Sequence, residues 1–212
     1  MTASLDHQSL GTFLDTLASR APTPGGGSVA ALNGAMAAGL ISMVCALTIG
    51  KPQYAALEDD LRGIHDRAET LRRELQHLAD QDIEVFERLS AAYRLPRTTE
   101  ADAAVRRAAI QQVTRQAADI PLRTAQAAAA LIPLCTALAP QVGRLIVSDI
   151  GVAILITKAT IQSAILNVEI NLAGLDDQQY VRETRASIED LVANLNEKTE
   201  EIVAIVRDRI NG

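Results

Sequence analysis

The sequence predicts an all-α fold, and three observations support that prediction. Hydrophobic residues make up 48% of the 212 residues but aromatic residues only 2%, so Ala, Leu, Ile and Val supply the apolar mass, as in closely packed helices. Apolar residues recur in alternating steps of three and four along the longer segments. Two stretches, 25–50 and 148–172, are almost free of charged residues, which is typical of helices buried on several sides.

Length and charge restrict the class of protein. The length fits one domain over residues 1–212. A net charge of −6 without any Lys/Arg-rich run argues against a nucleic-acid partner or an anionic membrane surface. The N-terminus has no basic region followed by an apolar stretch, so we expect no signal peptide and a cytoplasmic location. Cys45 and Cys135 lie in apolar segments and fit buried thiols better than a disulfide.

The first two helices are predicted near the N-terminus. A short amphipathic helix covers about residues 9–20 and ends before Pro22 and Pro24. The second helix, about residues 27–49, has two contrasting faces, and because both need a neighbour it is predicted at the centre of a bundle. Large apolar side chains form one face: Val29, Leu32, Met36, Leu40, Met43 and Leu47. Small residues four apart form the other: Ala30, Gly34, Ala38, Ser42 and Ala46.

The uncharged stretch at residues 25–50 is also long enough to cross a bilayer. It is rich in Gly, Ala, Ser, Thr and Asn and has no aromatic belt at either end. A helix buried within an assembly therefore fits better, and a membrane span is the alternative.

A long helix is predicted over about residues 53–95, with an apolar seam in steps of four and three. The seam comprises Leu57, Leu61, Ile64, Ala68, Leu71, Leu75, Leu78, Val85, Leu89 and Ala92. Thr99 and Asp102 then resemble a capping box that opens a further helix. Pro121 is expected to kink or restart that helix, and Pro133 to interrupt its alanine-rich continuation.

Two more helices are predicted in the C-terminal third. Residues 148–172 are almost wholly apolar, with only Asp149, Lys158 and Glu169 charged. Their β-branched content leaves buried strands as an alternative, but the length without turn residues favours a helix. The charged terminal helix carries an apolar stripe. The stripe consists of Val181, Ile188, Leu191, Leu195, Ile202, Val206 and Ile210.

Asp82 occupies a position where the seam of the long helix predicts an apolar side chain. A buried carboxylate is unfavourable unless it is paired or hydrogen-bonded, and burial raises its pKa toward the range of general acid–base catalysis. Asp82 is therefore a candidate catalytic residue. A structural hydrogen bond or a partly exposed seam is the alternative explanation.

A run rich in proline and glycine, Pro22-Thr23-Pro24-Gly25-Gly26-Gly27-Ser28, directly precedes the uncharged helix. Its glycines leave free backbone N–H groups at the positive end of a helix, which suits a carboxylate, a phosphate or a pterin carbonyl. A tight turn that only permits close packing explains the same pattern. The run lacks the Lys of a nucleotide-binding P-loop and the final Gly of a nucleophile elbow.

Three further positions are candidates that also have ordinary structural explanations. Lys51 follows the uncharged helix, where a cation stabilises the helix dipole. Asp149 follows Ser148, where an acid commonly begins a helix. Asn167 and Asn171 lie one turn apart on an apolar helix, so they need partners if buried, either within the fold or on a ligand.

The histidines give no indication of a metal centre. His7, His65 and His77 lie in the N-terminal tail and on the polar side of the long helix, without a Cys/His cluster. The carboxylates of that helix do not repeat the Glu-x-x-His pairs of di-iron bundles. We therefore expect no metal site.

The glycine-rich run, the uncharged helix after it and Leu47-Thr48-Ile49-Gly50-Lys51 resemble the cyclodeaminase/cyclohydrolase family. That family contains the cyclodeaminase domain of formimidoyltransferase-cyclodeaminase and the stand-alone methenyltetrahydrofolate cyclohydrolases. The likeness continues through Asp82, Phe86, Ser148-Asp149-Ile150-Gly151-Val152-Ala153 and Leu166-Asn167-Val168, and so covers nearly the whole chain. Leu175-Asp176-Asp177 is more similar to the stand-alone cyclohydrolases.

The resemblance implies a bundle of long helices that forms an intertwined homodimer, with a folate bound near the subunit contact. It implies hydrolysis of 5,10-methenyltetrahydrofolate to 10-formyltetrahydrofolate, without a metal or redox cofactor. Asp82 would activate water or transfer a proton, and Lys51 would orient water and stabilise the tetrahedral intermediate. The substrate-binding residues expected on this basis are Pro24, Gly25, Gly26, Gly27, Ser28, Phe86, Asp149 and Asn167.

Two alternatives stay open. Formimidoyltetrahydrofolate cyclodeamination attacks the same carbon but expels ammonia. A folate-binding helical dimer without catalysis is the other alternative, because relatives carry an Asn-containing stretch before Ser-Asp that here reads Val142-Gly143-Arg144-Leu145-Ile146-Val147.

Overall fold

The computed structural model describes Leu5 and residues 8–212, and regular structure in this part of the chain is helical, without a β-strand. The helices are α1 (Leu10–Leu17), α2 (Gly26–Thr48), α3 (Glu58–Tyr93), α4 (Glu100–Ala129), α5 (Ile132–Leu138), α6 (Val147–Leu172), α7 (Gln178–Val192) and α8 (Leu195–Asn211), with a 3-10 helix at Pro52–Leu57. The predicted all-α class is confirmed, and the alternative of buried strands at residues 148–172 is wrong. His7 and most of the N-terminal segment used to judge a signal peptide lie outside the described residues.

Local sequence signals explain several helix ends. The Ser9 side chain accepts from the Thr12 N–H and begins α1. The predicted capping box is present at α4, where Thr99 and Asp102 each bond the other's backbone N–H. These side chains satisfy N–H groups that have no partner within the helix.

Two predicted helix boundaries differ from the structure. Pro121 lies inside α4, which continues to Ala129, so of the two expected outcomes, a kink or a restart, the restart is wrong. The terminal apolar stripe belongs to two helices, which separate at Ala193 and Asn194. The stripe is continuous in sequence, yet α7 packs on α4 while α8 packs on α6 and α5. A periodic pattern cannot show that its two halves face different neighbours.

Four long helices, α2, α3, α4 and α6, form the centre of the bundle. The small face of α2 packs inward as predicted, with Ala30, Gly34 and Ala38 buried, whereas Ala46 is exposed. A Cβ added at Gly34 would lie only 3.1 Å from side-chain carbons of Leu75 and Thr160. The glycine therefore lets α2 approach α3 and α6 closely.

The helices α2 and α6 run antiparallel. Gly26, at the start of α2, adjoins Asn167 near the end of α6, and Gly34 adjoins Thr160 about two turns further on. The end of α2 is accordingly beside the start of α6, where Gly143 lies against the Tyr54 hydroxyl. We call these two places the Asp82 end and the Lys51 end of the molecule.

The described residues cover the large apolar face of α2 only in part, since Leu32 and Leu40 are half-buried against the core. Met36 is 54% exposed, and Met43 and Leu47 are exposed as well. The neighbouring helix α6 also exposes large side chains, with Leu166 at 66% and Ile170 at 72%. Within one chain α2 is therefore buried mainly on its small face, and the burial of its large face within an assembly stays a prediction.

Two helices, α2 and α6, are long and apolar enough to cross a membrane by these criteria alone, with mean hydropathies of 1.8 and 1.5. Within the fold, 56% and 50% of their most apolar windows are buried. Core helices of soluble proteins have the same properties. The absence of a membrane partner stays a prediction.

Candidate active site

A cavity of about 320 Å³ lies at the Asp82 end, between the start of α2, the last third of α3, the middle of α4 and the end of α6. The polar groups on its wall come from Thr23, the glycines before and within α2, Asp82, Asn167 and Asn171. The apolar part of the wall comprises Pro22, Val85, Phe86, Leu89, Ala117 and Ile170. A mostly apolar cleft with a few convergent polar groups is typical of a small-molecule site.

Asp82 faces the first turn of α2. The Ser28 hydroxyl donates to Asp82 Oδ2 at 2.8 Å. No side chain caps the N-terminus of α2, whose first residue is Gly26. The carboxylate thus meets the positive end of the α2 dipole, which favours an anion.

Gly27 is the residue that lets the carboxylate approach so closely. A Cβ at this position would overlap Asp82 Oδ1 and lie 2.6 Å from Asp82 Cγ. Any larger residue would have to displace the carboxyl group or the helix. The glycine is therefore required by steric contact with a side chain of α3, and not by an unusual backbone angle.

Burial raises the pKa of Asp82 above its ordinary value. Hydrogen bonds from the Ser28 hydroxyl and the Ser28 backbone N–H act in the opposite direction, because they favour the ionised carboxylate. Desolvation is the larger effect. The group is thus poised closer to neutral pH than an exposed aspartate, as a general base requires.

Two asparagines of α6 present their side-chain amides to the same cavity. Asn167 Nδ2 donates to the Ser163 carbonyl at 2.8 Å, and Asn171 Nδ2 donates to the carbonyls of Ala117 and Asn167 at 2.9 and 2.7 Å. Asn167 Oδ1 lies against Gly26, 3.5 Å from where its Cβ would be. Donation to carbonyls orients both amides and leaves their oxygens as acceptors.

The structure brings together most of the predicted site residues. Asp82, Gly25, Gly26, Gly27, Phe86 and Asn167 line the cavity. Ser28 is buried behind Asp82 and contacts it, while Pro24 is not part of the cavity wall. Phe86 is 41% exposed at the cavity edge, where its ring is available to a ligand.

Lys51 and Asp149 lie at the opposite end of the molecule. Between Gly27 and Thr48, α2 extends for roughly 30 Å at the usual helical rise, and Lys51 is exposed beyond that point. Asp149 is in the first turn of α6, at the same end as Lys51. No lysine side chain spans this distance, so Asp82 and Lys51 of one chain do not share a site.

Some cavity residues could not be identified from the sequence. Ala117 of α4 is one alanine among many, and Ile170 of α6 is one apolar residue in a wholly apolar segment. Only the folded arrangement selects them. Asn171 carried a signal, since an amide on an apolar helix needs partners, but that signal did not separate a structural role from binding.

The described residues contain no group of three or more His, Cys, Asp or Glu side chains placed to hold a metal ion. Burial raises the pKa of Cys45 to about 11 and that of Cys135 to about 12. Both thiols are buried and protonated at neutral pH. The expectation that the reaction needs no metal or redox cofactor stays a prediction.

Comparison with known proteins identifies the family of this chain. A model of the formiminotransferase-cyclodeaminase family matches residues 9–190. The chain belongs to this family. The resemblance inferred from the sequence motifs is thereby confirmed.

Named relatives differ in how much of their length the chain matches. A methenyltetrahydrofolate cyclohydrolase of Methylorubrum extorquens is 41% identical over 97% of this chain and 99% of its own length. The formimidoyltransferase-cyclodeaminase of Sus scrofa is 34% identical over 98% of this chain, which spans only 38% of that protein. The crystal structure of formiminotetrahydrofolate cyclodeaminase from Thermotoga maritima superposes with a TM-score of 0.85 at 28% identity, covering 96% of this chain and 98% of that one.

Proposed function

We propose that this enzyme is a methenyltetrahydrofolate cyclohydrolase, which hydrolyses 5,10-methenyltetrahydrofolate to 10-formyltetrahydrofolate. The observation that carries the proposal is the 41% identity to a cyclohydrolase that the chain matches over 99% of its length. The match to the pig formimidoyltransferase-cyclodeaminase covers only 38% of that protein, at 34% identity. The comparisons support the cyclohydrolase prediction over the cyclodeaminase alternative.

The charge of the cavity fits this substrate. The methenyl carbon is part of an amidinium cation, and Asp82 supplies an anion beside it. Among the described residues that line the cavity, none is Lys, Arg or His. A site with a carboxylate and no cation stabilises a bound cation and disfavours anions at the reacting centre.

Hydrolysis needs a base for water and a proton for the departing nitrogen. Asp82 accepts a proton from water as the oxygen bonds to the methenyl carbon. The resulting tetrahedral intermediate breaks its bond to N5 of the pterin ring, and protonated Asp82 returns the proton to that nitrogen. The hydroxyl group becomes the formyl oxygen on N10 as its proton leaves to solvent, so one water is consumed and one proton is released.

A second copy of the chain would bring Lys51 to this site. The uncovered apolar faces of α2 and α6 extend from Leu47 at the Lys51 end to Ile170 at the Asp82 end. Exposed apolar surface on two adjacent long helices is typical of an obligate interface. A two-fold axis perpendicular to α2 and α6 would pair these helices antiparallel with those of the second copy, and would place the Lys51 end of each chain against the Asp82 end of the other.

In that dimer, Lys51 of the partner subunit would complete the catalytic pair. Its ammonium group would stabilise the developing oxyanion of the tetrahedral intermediate and orient the attacking water. The partner's Asp149, at the same end, would lie on the same side of the substrate. The predicted roles of Lys51 and Asp149 therefore depend on the homodimer.

The assay follows the near-UV absorbance of 5,10-methenyltetrahydrofolate mixed with purified protein. Loss of absorbance faster than the spontaneous hydrolysis, with 10-formyltetrahydrofolate as the product, is expected. Absence of any acceleration across neutral pH would contradict the proposal. Ammonia release from 5-formimidoyltetrahydrofolate without methenyl hydrolysis would favour the cyclodeaminase, and ligand-induced thermal stabilisation without turnover would favour a binding protein.

A further inference from the structure

The side-chain amide of Asn171 is held in one orientation by two backbone carbonyls. Its Nδ2 donates to Ala117 O and to Asn167 O, which uses both of its N–H bonds. Pro121, four residues after Ala117, has no N–H to give to that carbonyl. Asn171 therefore supplies the donor that the proline removes from α4. Its Oδ1 atom is left as an acceptor that receives no hydrogen bond from the described residues.

Asn171 lies at the end of the cavity away from the reacting group. Gly27 adjoins Asp82, and Gly26 adjoins Asn167. Asn171 follows one helical turn further along α6, beside Ala117 of α4. A ligand whose reacting carbon is at Asp82 thus presents a distal part to Asn171.

The polar groups at this end select the kind of ligand atom that fits. The oxygens of Asn167 and Asn171 are both acceptors, and the cavity wall holds no cationic side chain among the described residues. Such an end binds N–H groups and disfavours carboxylates. A folate has N–H groups on its pyrimidine ring, distal to the one-carbon bridge, and carboxylates on its glutamate tail. The pyrimidine ring therefore fits this end.

We propose that Asn171 Oδ1 accepts a hydrogen bond from the 2-amino group of the pterin ring and so sets the orientation of the substrate. This inference rests on the proposed function, because it assumes that a folate occupies the cavity. Asn171 is then a positioning residue. It holds the ring so that the methenyl carbon faces Asp82, and it does not take part in proton transfer.

The test compares two ligands across protein variants. Dissociation constants of tetrahydrofolate and of its 2-desamino-2-methyl analogue are measured anaerobically by equilibrium dialysis. Wild-type protein is expected to bind the analogue at least about tenfold more weakly, because an acceptor in the site loses its donor. In Asn171→Ala the two ligands should bind with nearly equal affinity. Asn171→Ser serves the same purpose if Asn171→Ala does not fold.

Gln111→Ala is the matched control, because Gln111 joins α4 to the segment that directly follows α6. It bonds the Gly174 carbonyl and the Asp176 N–H, both at 2.8 Å, and does not line the cavity. This variant should keep the wild-type preference for the 2-amino ligand. Equal weakening of both ligands in Asn171→Ala would show a purely structural role and overturn the inference.

The outcomes for wild-type protein separate the two proposals. Methenyl hydrolysis without any preference for the 2-amino group would overturn the role of Asn171 and leave the cyclohydrolase proposal in place. Absence of both folate binding and hydrolysis would overturn the proposed function, and the inference with it.

Discussion

Asp82 is the residue on which the chemistry depends, and replacing it separates catalysis from structure. Asp82→Asn keeps the volume and one acceptor but removes the ionisable group. If Asp82 transfers a proton, kcat should fall by about 10²–10⁴, while folate affinity and the unfolding midpoint change little. A structural carboxylate would instead cost about 1–3 kcal/mol of stability. Stopped-flow turnover and thermal unfolding of the same preparation distinguish these results, and near-normal kcat in folded Asp82→Asn would exclude it as the base.

The raised pKa of Asp82 predicts a specific pH profile. As a base it acts ionised, so kcat/KM should rise with pH along a limb whose pKa lies above the usual ~3.9 of aspartate. Ser28→Ala removes a donor to the carboxylate and should move that limb to higher pH. Profiles from about pH 4 to pH 8 test both statements. A limb unchanged in Ser28→Ala would argue against Asp82 as its source.

The same shift has a consequence for stability with a definite sign. Because the folded-state pKa is raised, the folded protein binds the proton of Asp82 more tightly than the unfolded chain does. Protonation of Asp82 therefore stabilises the folded protein. This contribution is fully present below about pH 3.9 and is lost as the pH rises through the pKa that Asp82 has in the folded protein. The raised pKa that suits Asp82 to act as a base thus lowers the stability of the folded protein at neutral pH.

Two glycine variants test steric access to the carboxylate. Gly27→Ala puts a Cβ onto Asp82 Oδ1, and because displacement of a reacting group by about 1 Å costs on the order of 10²-fold, kcat/KM should fall by about that factor. Gly63→Ala is the matched control, since Gly63 is exposed inside α3 with open space around it. It should keep full activity and stabilise the protein by about 0.5–1 kcal/mol. Full activity in Gly27→Ala would contradict the described geometry.

Residues differ in how far the sequence could identify them. Asp82 was identifiable because it breaks an otherwise apolar seam, and the glycine run because three glycines precede a helix. The pairing of Gly27 with Asp82 joins residues 55 positions apart and follows only from the packing of α2 on α3. Lys51 and Asp82 were predicted to act together, although along one chain they lie at opposite ends of α2.

Among the helices, α7 is attached to α4 by one polar cluster. The Tyr180 hydroxyl donates to Asp119 Oδ1 at 2.6 Å, and the Arg115 guanidinium lies 4.3 Å from the Tyr180 ring centre and 3.2 Å from Asp177. Tyr180 is buried. These contacts anchor α7, a helix the sequence did not separate from α8.

Tyr180→Phe is therefore expected to loosen α7 specifically. Loss of a hydrogen bond to a carboxylate should cost about 1–3 kcal/mol of unfolding free energy, measured by urea denaturation. Burial, with the Asp119 hydrogen bond second, raises the Tyr180 pKa to about 12, so this contribution should persist below about pH 10 and diminish as the pH rises toward 12. Tyr93→Phe, at a 54% exposed ring, is the control. Equal effects of the two variants would contradict an anchoring role.

Helix length and capping were largely predictable because they depend on local chemistry. The capping box at Thr99 and the small face of α2 both follow from residue size and hydrogen-bonding groups. Pro121 was misleading for a physical reason. Its missing N–H frees the Ala117 carbonyl, and Asn171 of another helix satisfies that carbonyl, so α4 continues. A compensation supplied from a distant segment is invisible in the local sequence.

At the scale of the whole molecule, the proposed homodimer would explain why Asp82 and Lys51 lie at opposite ends of one chain. Burial of the exposed apolar faces of α2 and α6 against a second copy would be favourable, and an antiparallel partner would bring Lys51 of the partner subunit to Asp82. The cytoplasmic location and the single domain over residues 1–212 stay predictions. The proposed homodimer, in contrast, predicts that each active site requires residues from both subunits, which catalysis within a single chain would not require.

Mixing two inactive variants tests whether an active site contains residues of both subunits. Asp82→Asn and Lys51→Met should each lose most activity. A mixed dimer would contain one site with Asp82 from one chain and Lys51 from the other, both intact. Random assembly makes about half of the dimers mixed, each with one of two sites restored, so about one quarter of wild-type turnover should return.

A second mixture serves as the control for this experiment. Asp82→Asn with Gly27→Ala places both lesions at the Asp82 end, so every composite site in a mixed dimer keeps a defect and no activity should return. Co-expression with two affinity tags isolates the mixed dimers in both cases, and isolated dimers of Asp82→Asn with Lys51→Met should show about half of wild-type turnover, because one of their two sites is intact. Recovery with Lys51→Met but not with Gly27→Ala would support a site shared between subunits. Mixed dimers of Asp82→Asn and Lys51→Met that remain inactive would show that Lys51 does not complete the partner's site, because an intact pair would then be present without effect.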